Sequence, residues 1–350
     1  MESRPAGHYG QRNQEGVIKM GAIGKQAALL QQAWETDPRW AGIARDYSAE
    51  DVIRLRGRVA QEHSLARRGA SRLWNLLHGQ DAVRALGAVA GSQAVQVARA
   101  GVQAIYLPGG QAADWNLAGR TYPDRWLPPV VAAAEIGSGS VPDAFELMKA
   151  MIEAGAAGVR FEDQLSYLGR KVLIPTGQHI EMLTAARLAA DVLDVPALVI
   201  ARTGAQAASL LTSDSDERDR EFLTGERTAD GCYRVEPGLY ACVTRALSFA
   251  PYADLLWMEA ATPDLAEARA FAGIIRSQYP HKLLAYSCSP PLNWRARLDE
   301  ASMAEFQKQL AAMGYRFQFT SPADISARDE SAPELADRYA HSDVPAYAQL

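Results

Sequence analysis

Cysteine is scarce in this chain, and long apolar runs and dense basic runs are missing. Only three cysteines occur among 350 residues, and a sparse, odd set is typical of free thiols in a reducing compartment. No apolar run reaches the roughly 18 residues that a membrane-spanning helix needs. These absences argue against a disulfide framework and against a membrane span.

The N-terminus also lacks the apolar core of a secretory signal. It reads MESRPAGHYGQRNQEG, which is rich in Gly, Gln and Arg. We therefore interpret residues 1–24 as a flexible arm and expect a cytoplasmic protein.

Neither sign of charge dominates the composition. Lys plus Arg number 36 and Asp plus Glu number 41, for a net charge of -5. With no clustered basic segment, nucleic-acid binding is not expected. The apolar fraction of 48% and the charged fraction of 22% are typical of a soluble globular protein.

Residues 25–80 form a predicted N-terminal helical segment. Apolar residues recur there at spacings near three and four, as in Val52, Leu55 and Val59. The sequence from Ser48 to Asp51 has the S-x-x-D form of a helix start.

After residue 80, short apolar runs alternate with helix-like stretches, and we predict a barrel domain over residues 81–350. Eight such runs with intervening helices favour a parallel sheet, and eight is the number that closes a (β/α)₈ TIM-type barrel. The eight predicted strands are 84–91, 102–108, 129–135, 156–163, 196–203, 254–260, 282–289 and 315–321.

Several of these runs end on polar residues. In such barrels the C-terminal ends of the strands form the active-site face. The polar residues at or near the strand ends are Glu135, Glu162, Asp163, Arg202, Glu259 and Ser289. A charged excursion at 212–238 follows the fifth strand, and we interpret it either as a solvated loop with a β-hairpin or as a lid over the mouth.

Six long stretches of the chain carry specific motifs. They are ARDYSAEDVIRLRG, AGVQAIYLPGGQAADWNLAGRTYPD, TAARLAADVLDVPALVIART, TSDSDERDREFLTGERTADGCYRV, PYADLLWMEAATPDL and LLAYSCSPPLNW. From about Ile43 to the C-terminus, the chain resembles the isocitrate lyase family. The resemblance implies an α/β barrel whose eighth helix is exchanged between subunits, a homo-oligomer (dimer or tetramer), a Mg²⁺ cofactor, and cleavage of isocitrate into glyoxylate and succinate.

The chain departs from the family pattern at the centre of the site. The family's loop after the fourth strand carries a Lys-Lys-Cys-Gly-His run, whose Cys supplies a proton. Here the loop is shortened between Gln164 and Gly169, and that run is missing. Ala133 stands where the family has the Asp that is its principal metal ligand.

The substrate-binding motifs also differ. The family's Ser-Gly-Trp, which binds glyoxylate, is Pro108-Gly109-Gly110 here. The family's Asn-Cys-Ser-Pro-Ser, which grips the succinyl carboxylate, is Ser287-Cys288-Ser289-Pro290-Pro291 here. The late Thr of the same pocket aligns with Ser321. A stretch between the second and third strands is absent.

Part of the family's charge pattern is retained. The resemblance assigns Asp124, Glu135 and Glu162 to the metal, and Glu162, Arg202 and Glu259 to catalysis. It assigns Gly109, Gly110, Arg202, Ser287, Ser289 and Ser321 to a small carboxylate ligand.

Two alternatives stay open for these charged residues. The acids could hold Mg²⁺ through oxygen ligands, or form a hydrogen-bonded network with Arg202. Arg202 could clamp a substrate carboxylate with two hydrogen bonds, or form a structural salt bridge to Glu162 or Glu259.

Two functions follow from this pattern. The first, which we favour, is a divergent carbon–carbon lyase. It would bind a small 2-oxo or 2-hydroxy carboxylate and react through an enolate-type intermediate, ordinary isocitrate cleavage being doubtful. The second is a catalytically silent paralogue that acts through oligomer assembly or partner binding.

Overall fold

The fold was taken from a computed structural model of the chain. It describes residues 23–57, 59, 61–88, 91–108, 128–134, 140–167, 170–289 and 298–320. Residues 1–22 of the predicted arm, the predicted Gly109, Gly110, Asp124, Glu135 and Ser321, and the region after Thr320 lie outside these ranges. Helix exchange between subunits therefore stays a prediction. Ile23 and Gly24, which the prediction placed in the arm, belong to a helix instead.

Eight parallel strands close into a barrel in the order β1-β13-β12-β11-β7-β4-β3-β2. Each falls within, or within one residue of, a run that the sequence predicts, so the TIM-type fold is confirmed. The barrel strands are β1 (Val83–Gly87), β2 (Ala104–Leu107), β3 (Val130–Ala133), β4 (Gly158–Glu162), β7 (Leu198–Thr203), β11 (Leu255–Met258), β12 (Leu283–Ser287) and β13 (Tyr315–Thr320).

Helices surround the barrel and close one of its ends. They are α1 (23–36), α2 (Ala49–Leu55), α3 (Ser64–Leu77), α4 (Gly91–Arg99), α5 (Val141–Glu153), α6 (Thr176–Val192), α7 (Leu239–Phe249), α8 (Leu265–Gln278) and α9 (Glu300–Met313). Helix α2 begins with the predicted capping box, in which Ser48 and Asp51 satisfy each other's backbone N–H groups. No helix within the described ranges combines the length and the apolar character needed to cross a membrane.

The hydrophobic core has an inner and an outer part. Alternate strand residues such as Leu198, Ile200 and Leu255 form the inner cluster, together with Leu73 and Leu77 of α3. The remaining strand residues pack against the surrounding helices in a larger outer cluster. Since side chains of a strand alternate between its two faces, this pattern identifies the residues that face the barrel lumen.

A second sheet is built from the loop after β4 and the excursion after β7. Its strand order is β5-β6-β8-β10-β9. The loop forms the hairpin β5 (Gln164–Tyr167) and β6 (Arg170–Leu173), while the excursion supplies β8 (Leu210–Leu211), β9 (Leu223–Arg227) and β10 (Tyr233–Val235). One ladder contact joins the two segments, because Leu173 of β6 pairs with Leu211 of β8.

Candidate active site

Three predicted charged residues meet at the C-terminal mouth of the barrel. Glu162 ends β4 and is the register partner of Arg202 in β7. Arg202 is in turn the register partner of Trp257 in β11, and the backbone N–H of Glu259 donates to the carbonyl of Thr203 at 3.0 Å. The parallel register therefore brings the catalytic candidates Glu162, Arg202 and Glu259 together.

Arg202 joins the two carboxylates. Its Nη1 donates to Oε2 of Glu162, and its Nη2 pairs with Oε1 of Glu259. Both salt bridges that the sequence left open as structural roles for Arg202 are thus present. A guanidinium can exchange such a carboxylate for that of a ligand, because both present the same two oxygens to its fork of N–H groups.

An aromatic layer lies beneath these charges. The guanidinium carbon of Arg202 lies 4.6 Å from the centre of the Trp257 ring. Trp257 is buried and meets Phe319 edge-on at 4.9 Å, and Phe319 stacks on Tyr106 at 4.2 Å. This layer excludes water from one side of the cluster and attracts cations through the ring faces.

Sequence reasoning missed three residues of the cluster. Arg160 Nη1 and Gln164 Nε2 donate to the two oxygens of Glu162. Lys171, on β6, donates to Glu259 at 3.0 and 3.1 Å. Arg160 could have been found, because it lies two residues before Glu162 on the same strand face. Lys171 could not, since its contact depends on how the hairpin folds back.

Glu162 is held in its ionised form. Burial alone would raise the pKa of this carboxyl, but the charges of Arg160 and Arg202 and the amide of Gln164 outweigh it and leave the pKa below its usual value. At neutral pH, Glu162 is therefore a charged acceptor and not a proton donor.

The neighbouring acid, Asp163, has a different role. It is fully buried and receives hydrogen bonds from Arg245 Nε at 2.8 Å and from the Gly204 N–H at 2.9 Å. Arg245 also donates to Asp219 at 2.6 Å and to the carbonyl of Ile174 at 2.6 Å. Asp163 thus anchors the excursion to the barrel and does not join the Glu162 cluster.

The two predicted serines lie at and just after the end of β12. Their hydroxyl oxygens, Ser287 Oγ and Ser289 Oγ, are 2.7 Å apart. Both are half-buried and follow Leu283 and Ala285 of the inner cluster at the period of a strand. Their position at the barrel mouth agrees with a role as polar groups of a ligand site.

Comparison with known proteins decides the family. A sequence model described as "Isocitrate lyase family" matches residues 118–227 and 224–350. Isocitrate lyase 1 of Mycobacterium tuberculosis is 49% identical over 376 aligned positions, which span 95% of this chain and 88% of that protein. The chain belongs to the isocitrate lyase family. Isocitrate lyase of Escherichia coli is 47% identical, over 91% of this chain and 85% of that protein.

Solved structures agree on the fold. Oxaloacetate acetylhydrolase aligns with a TM-score of 0.56 at 18% identity, covering 79% of this chain and 88% of that one. A 2,3-dimethylmalate lyase aligns with a TM-score of 0.53 at 18% identity, covering 79% and 89%. At this level of identity, both alignments support the barrel fold of this isocitrate lyase family member.

The described residues of this isocitrate lyase family member do not fit the Mg²⁺ that the resemblance implies. Glu162 is the only one of the three predicted metal ligands within the described ranges, and both of its oxygens already accept from Arg160, Arg202 and Gln164. Ala133 offers no oxygen from its side chain. Within the part of the chain that the structure describes, no group of three His, Cys, Asp or Glu residues could hold a metal ion.

The Gln164 amide depends on the absence of a side chain at residue 204. A Cβ on Gly204 would overlap the carboxamide of Gln164. We expect Gly204→Ala to turn this flexible amide away from Glu162, so that the pKa of Glu162 rises while the stability changes by less than about 1 kcal/mol. Carboxyl ¹³C NMR of glutamate-labelled protein measures that pKa.

Gly273→Ala is the matched control for this substitution. Gly273 is exposed on helix α8, and a Cβ added to it would meet no atom within 4 Å. The pKa of Glu162 should therefore stay unchanged in this variant. An unaltered pKa in Gly204→Ala would contradict the positioning role of Gln164.

We expect His179 to make the fold sensitive to acid. It is fully buried on α6 against Phe249, and burial lowers the pKa of its imidazole from 6.5 to about 4. Between these pH values the unfolded chain takes up a proton that the folded chain refuses. Stability should therefore fall as the pH drops from 7 to 4.5, by about 2–3 kcal/mol from this group.

Urea unfolding at pH 7 and pH 4.5 tests this expectation. In His179→Leu the loss of stability between the two pH values should shrink by about 2–3 kcal/mol. In His281→Gln, at an exposed position, it should not change. An equal acid loss in wild type and His179→Leu would show that another group is responsible.

Proposed function

We propose that this protein is a divergent carbon–carbon lyase that binds a small 2-oxo or 2-hydroxy carboxylate and reacts through an enolate-type intermediate. One observation carries the proposal. Three cations, Arg160, Arg202 and Lys171, meet two carboxylates at the mouth of the barrel. The described cluster thus has one positive charge in excess, which a carboxylate ligand would neutralise.

Arg202 is the group best suited to bind that ligand. Its guanidinium lies between Glu162 and Glu259, and Glu259 is also held by the half-exposed ammonium of Lys171. When Lys171 retains Glu259, Arg202 can turn its N–H groups to an incoming carboxylate. The bidentate geometry then fixes the orientation of the ligand.

The same cations suit an enolate. When a bond beside a carboxylate breaks, negative charge moves onto the carboxylate oxygens. Guanidinium groups held in place over Trp257 stabilise that charge without reorganising. The excess positive charge of the cluster therefore stabilises the charged intermediate more strongly than it stabilises the uncharged group from which that intermediate forms.

Ordinary isocitrate cleavage is doubtful because the described cluster lacks a proton donor. The hairpin from Gln164 to Leu173 contains neither Cys nor His, and Glu162 is held ionised by its two arginines. Among the described residues of the cluster no acid is therefore available to protonate a leaving carbanion. A substrate whose cleavage product is not protonated by a residue of this loop therefore fits the site better than isocitrate does.

One observation favours the alternative, a catalytically silent paralogue. Both carboxylates of the described cluster are already neutralised by internal ion pairs. Such a network could stabilise the barrel mouth without binding any ligand, and the protein would then act through oligomer assembly or partner binding.

A product assay separates the two functions. Purified protein is incubated with isocitrate and with a panel of 2-hydroxy and 2-oxo dicarboxylates, and the release of cleavage products is followed by liquid chromatography with mass spectrometry. The proposal predicts release from at least one panel compound, with little from isocitrate and none in Arg202→Ala. Rapid cleavage of isocitrate would refute the divergence, and no release from any compound would favour the silent paralogue.

We also propose that the protein is a homo-oligomer. Three apolar residues of the N-terminal segment are exposed, namely Leu29 (67%), Leu55 (55%) and Val59 (80%). Side chains of this kind gain stability when a second surface covers them. Light scattering over a range of concentrations checks the proposal, and a monomer at every concentration would contradict it.

A further inference from the structure

Arg160 lies beside the position at which this chain has lost an acid. Ala133 of β3 and Arg160 of β4 are register partners in the barrel sheet. The sequence pattern puts the principal metal-binding Asp of the family at Ala133. A carboxylate has thus disappeared from one strand, and a cation stands next to that position on the neighbouring strand.

The Arg160 guanidinium is built into the mouth of the barrel. The side chain is buried, pairs with Oε2 of Glu162, and has its guanidinium carbon 5.4 Å from the centre of the Trp257 ring. A guanidinium stays protonated in proteins. The barrel mouth therefore carries a fixed positive charge next to Glu162, which is the one predicted metal ligand within the described residues.

A divalent cation and this guanidinium compete for the same oxygens. Oε2 of Glu162 accepts from both Arg160 and Arg202, and Oε1 accepts from Gln164. A metal ion bound to Glu162 would compete with these donors and would lie next to two positive charges. Both oxygens of Glu162 are thus already engaged by the protein itself.

We infer that Arg160 is the resident cation of this site, and that the protein binds its carboxylate ligand without a divalent metal ion. The inference rests on the proposed function for the identity of the ligand. The guanidinium supplies positive charge at the ligand's oxygens, and its planar N–H groups match a carboxylate. A covalently attached cation needs no free metal, so ligand binding becomes independent of Mg²⁺.

Calorimetric titration with oxaloacetate and with glyoxylate tests the ligand half of this inference. Wild-type protein should bind with affinities that agree within about twofold in Mg²⁺ and in EDTA. Arg160→Gln should bind at least about tenfold more weakly in both buffers, whereas Arg160→Lys should retain part of the affinity because it keeps the charge. Arg170→Gln, at an exposed arginine paired with Asp230, is the matched control and should bind like wild type.

Metal binding is measured separately, with Mn²⁺ as an electron paramagnetic resonance probe and no ligand present. Wild type should leave Mn²⁺ free at submillimolar concentration. The double variant Ala133→Asp/Arg160→Gln restores the acid and removes the cation, so it should bind Mn²⁺. Thermal unfolding of each variant confirms that it is folded.

The outcomes separate this inference from the proposed function. The inference would be overturned if wild type bound Mn²⁺ and Glu162→Gln abolished that binding. It would also be overturned if wild type bound oxaloacetate only in the presence of Mg²⁺, or if Arg160→Gln bound oxaloacetate as tightly as wild type. If wild type binds neither acid, the proposed function fails. The replacement of the metal by Arg160 would still be supported if only the double variant binds Mn²⁺.

Discussion

Arg202→Lys should weaken the binding of a 2-oxo dicarboxylate such as oxaloacetate by about a hundredfold. Lysine keeps the positive charge but loses the fork of N–H groups and the planar contact with Trp257 at 4.6 Å. A charge-assisted hydrogen bond contributes about 1.5–3 kcal/mol, and a hundredfold change in affinity corresponds to about 2.7 kcal/mol. The loss of one bidentate contact therefore accounts for the expected effect.

The fold should tolerate this substitution. Glu162 keeps its contact with Arg160, and Glu259 keeps its contact with Lys171, so neither carboxylate is left unpaired. We expect a stability loss of about 1 kcal/mol or less. Arg234→Lys, at an exposed arginine paired with Glu226, should change neither quantity. If calorimetry gave the same affinity for Arg202→Lys and wild type, Arg202 would be a structural residue only.

Arg245→Met should lower the free energy of unfolding by about 3–5 kcal/mol, the largest stability effect that we expect. Arg245 is almost fully buried and binds Asp163 of the barrel, Asp219 of the excursion and the carbonyl of Ile174. Methionine fills a similar volume but leaves two buried carboxylates without their shared cation. The remaining N–H donors of Gly204 and Thr176 compensate only in part.

Urea unfolding followed by circular dichroism measures this loss. Arg220→Met is the matched control, because Arg220 lies exposed in the same excursion and pairs only with Glu217 among the described residues, at 3.3 Å. Its stability should stay within about 0.5 kcal/mol of wild type. A loss below about 1 kcal/mol in Arg245→Met would show that the two aspartates do not depend on this cation.

The barrel was readable from the sequence because its strands are buried on both faces. Runs such as PALVIART at 196–203 are continuously apolar and end on a polar residue, and β7 spans Leu198–Thr203. The same reasoning placed Glu162, Arg202 and Glu259 at one end of the barrel. The contacts between them follow from register, which the family motifs imply and the apolar pattern alone does not.

The sequence reasoning did not distinguish the roles of two adjacent acids. Glu162 and Asp163 look equivalent in the sequence, yet alternation along the strand sends them to opposite faces. Glu162 meets Arg160 and Arg202, whereas Asp163 meets Arg245. A strict period of two, applied from Gly158 onward, would have separated them and added Arg160 to the candidates.

The β-hairpin predicted within the excursion is present as β9 and β10, but the joining of the excursion to the shortened loop could not be predicted from the sequence. The two segments are separated by the whole of α6 and β7, and one register pair, Leu173 with Leu211, joins them. Such long-range pairing leaves no periodic signal in either segment. Lys171 reaches Glu259 only through this arrangement, and for that reason the third cation of the cluster was not predicted.

The most direct test is a crystal structure of the protein grown with oxaloacetate, in buffer that contains EDTA. We predict that a carboxylate of the ligand binds Arg202 through two hydrogen bonds at the barrel mouth, with Arg160 beside it and no metal ion between them. A ligand bound elsewhere, or a barrel mouth in which Arg202 still pairs with both Glu162 and Glu259 at saturating ligand, would contradict a carboxylate site at this cluster.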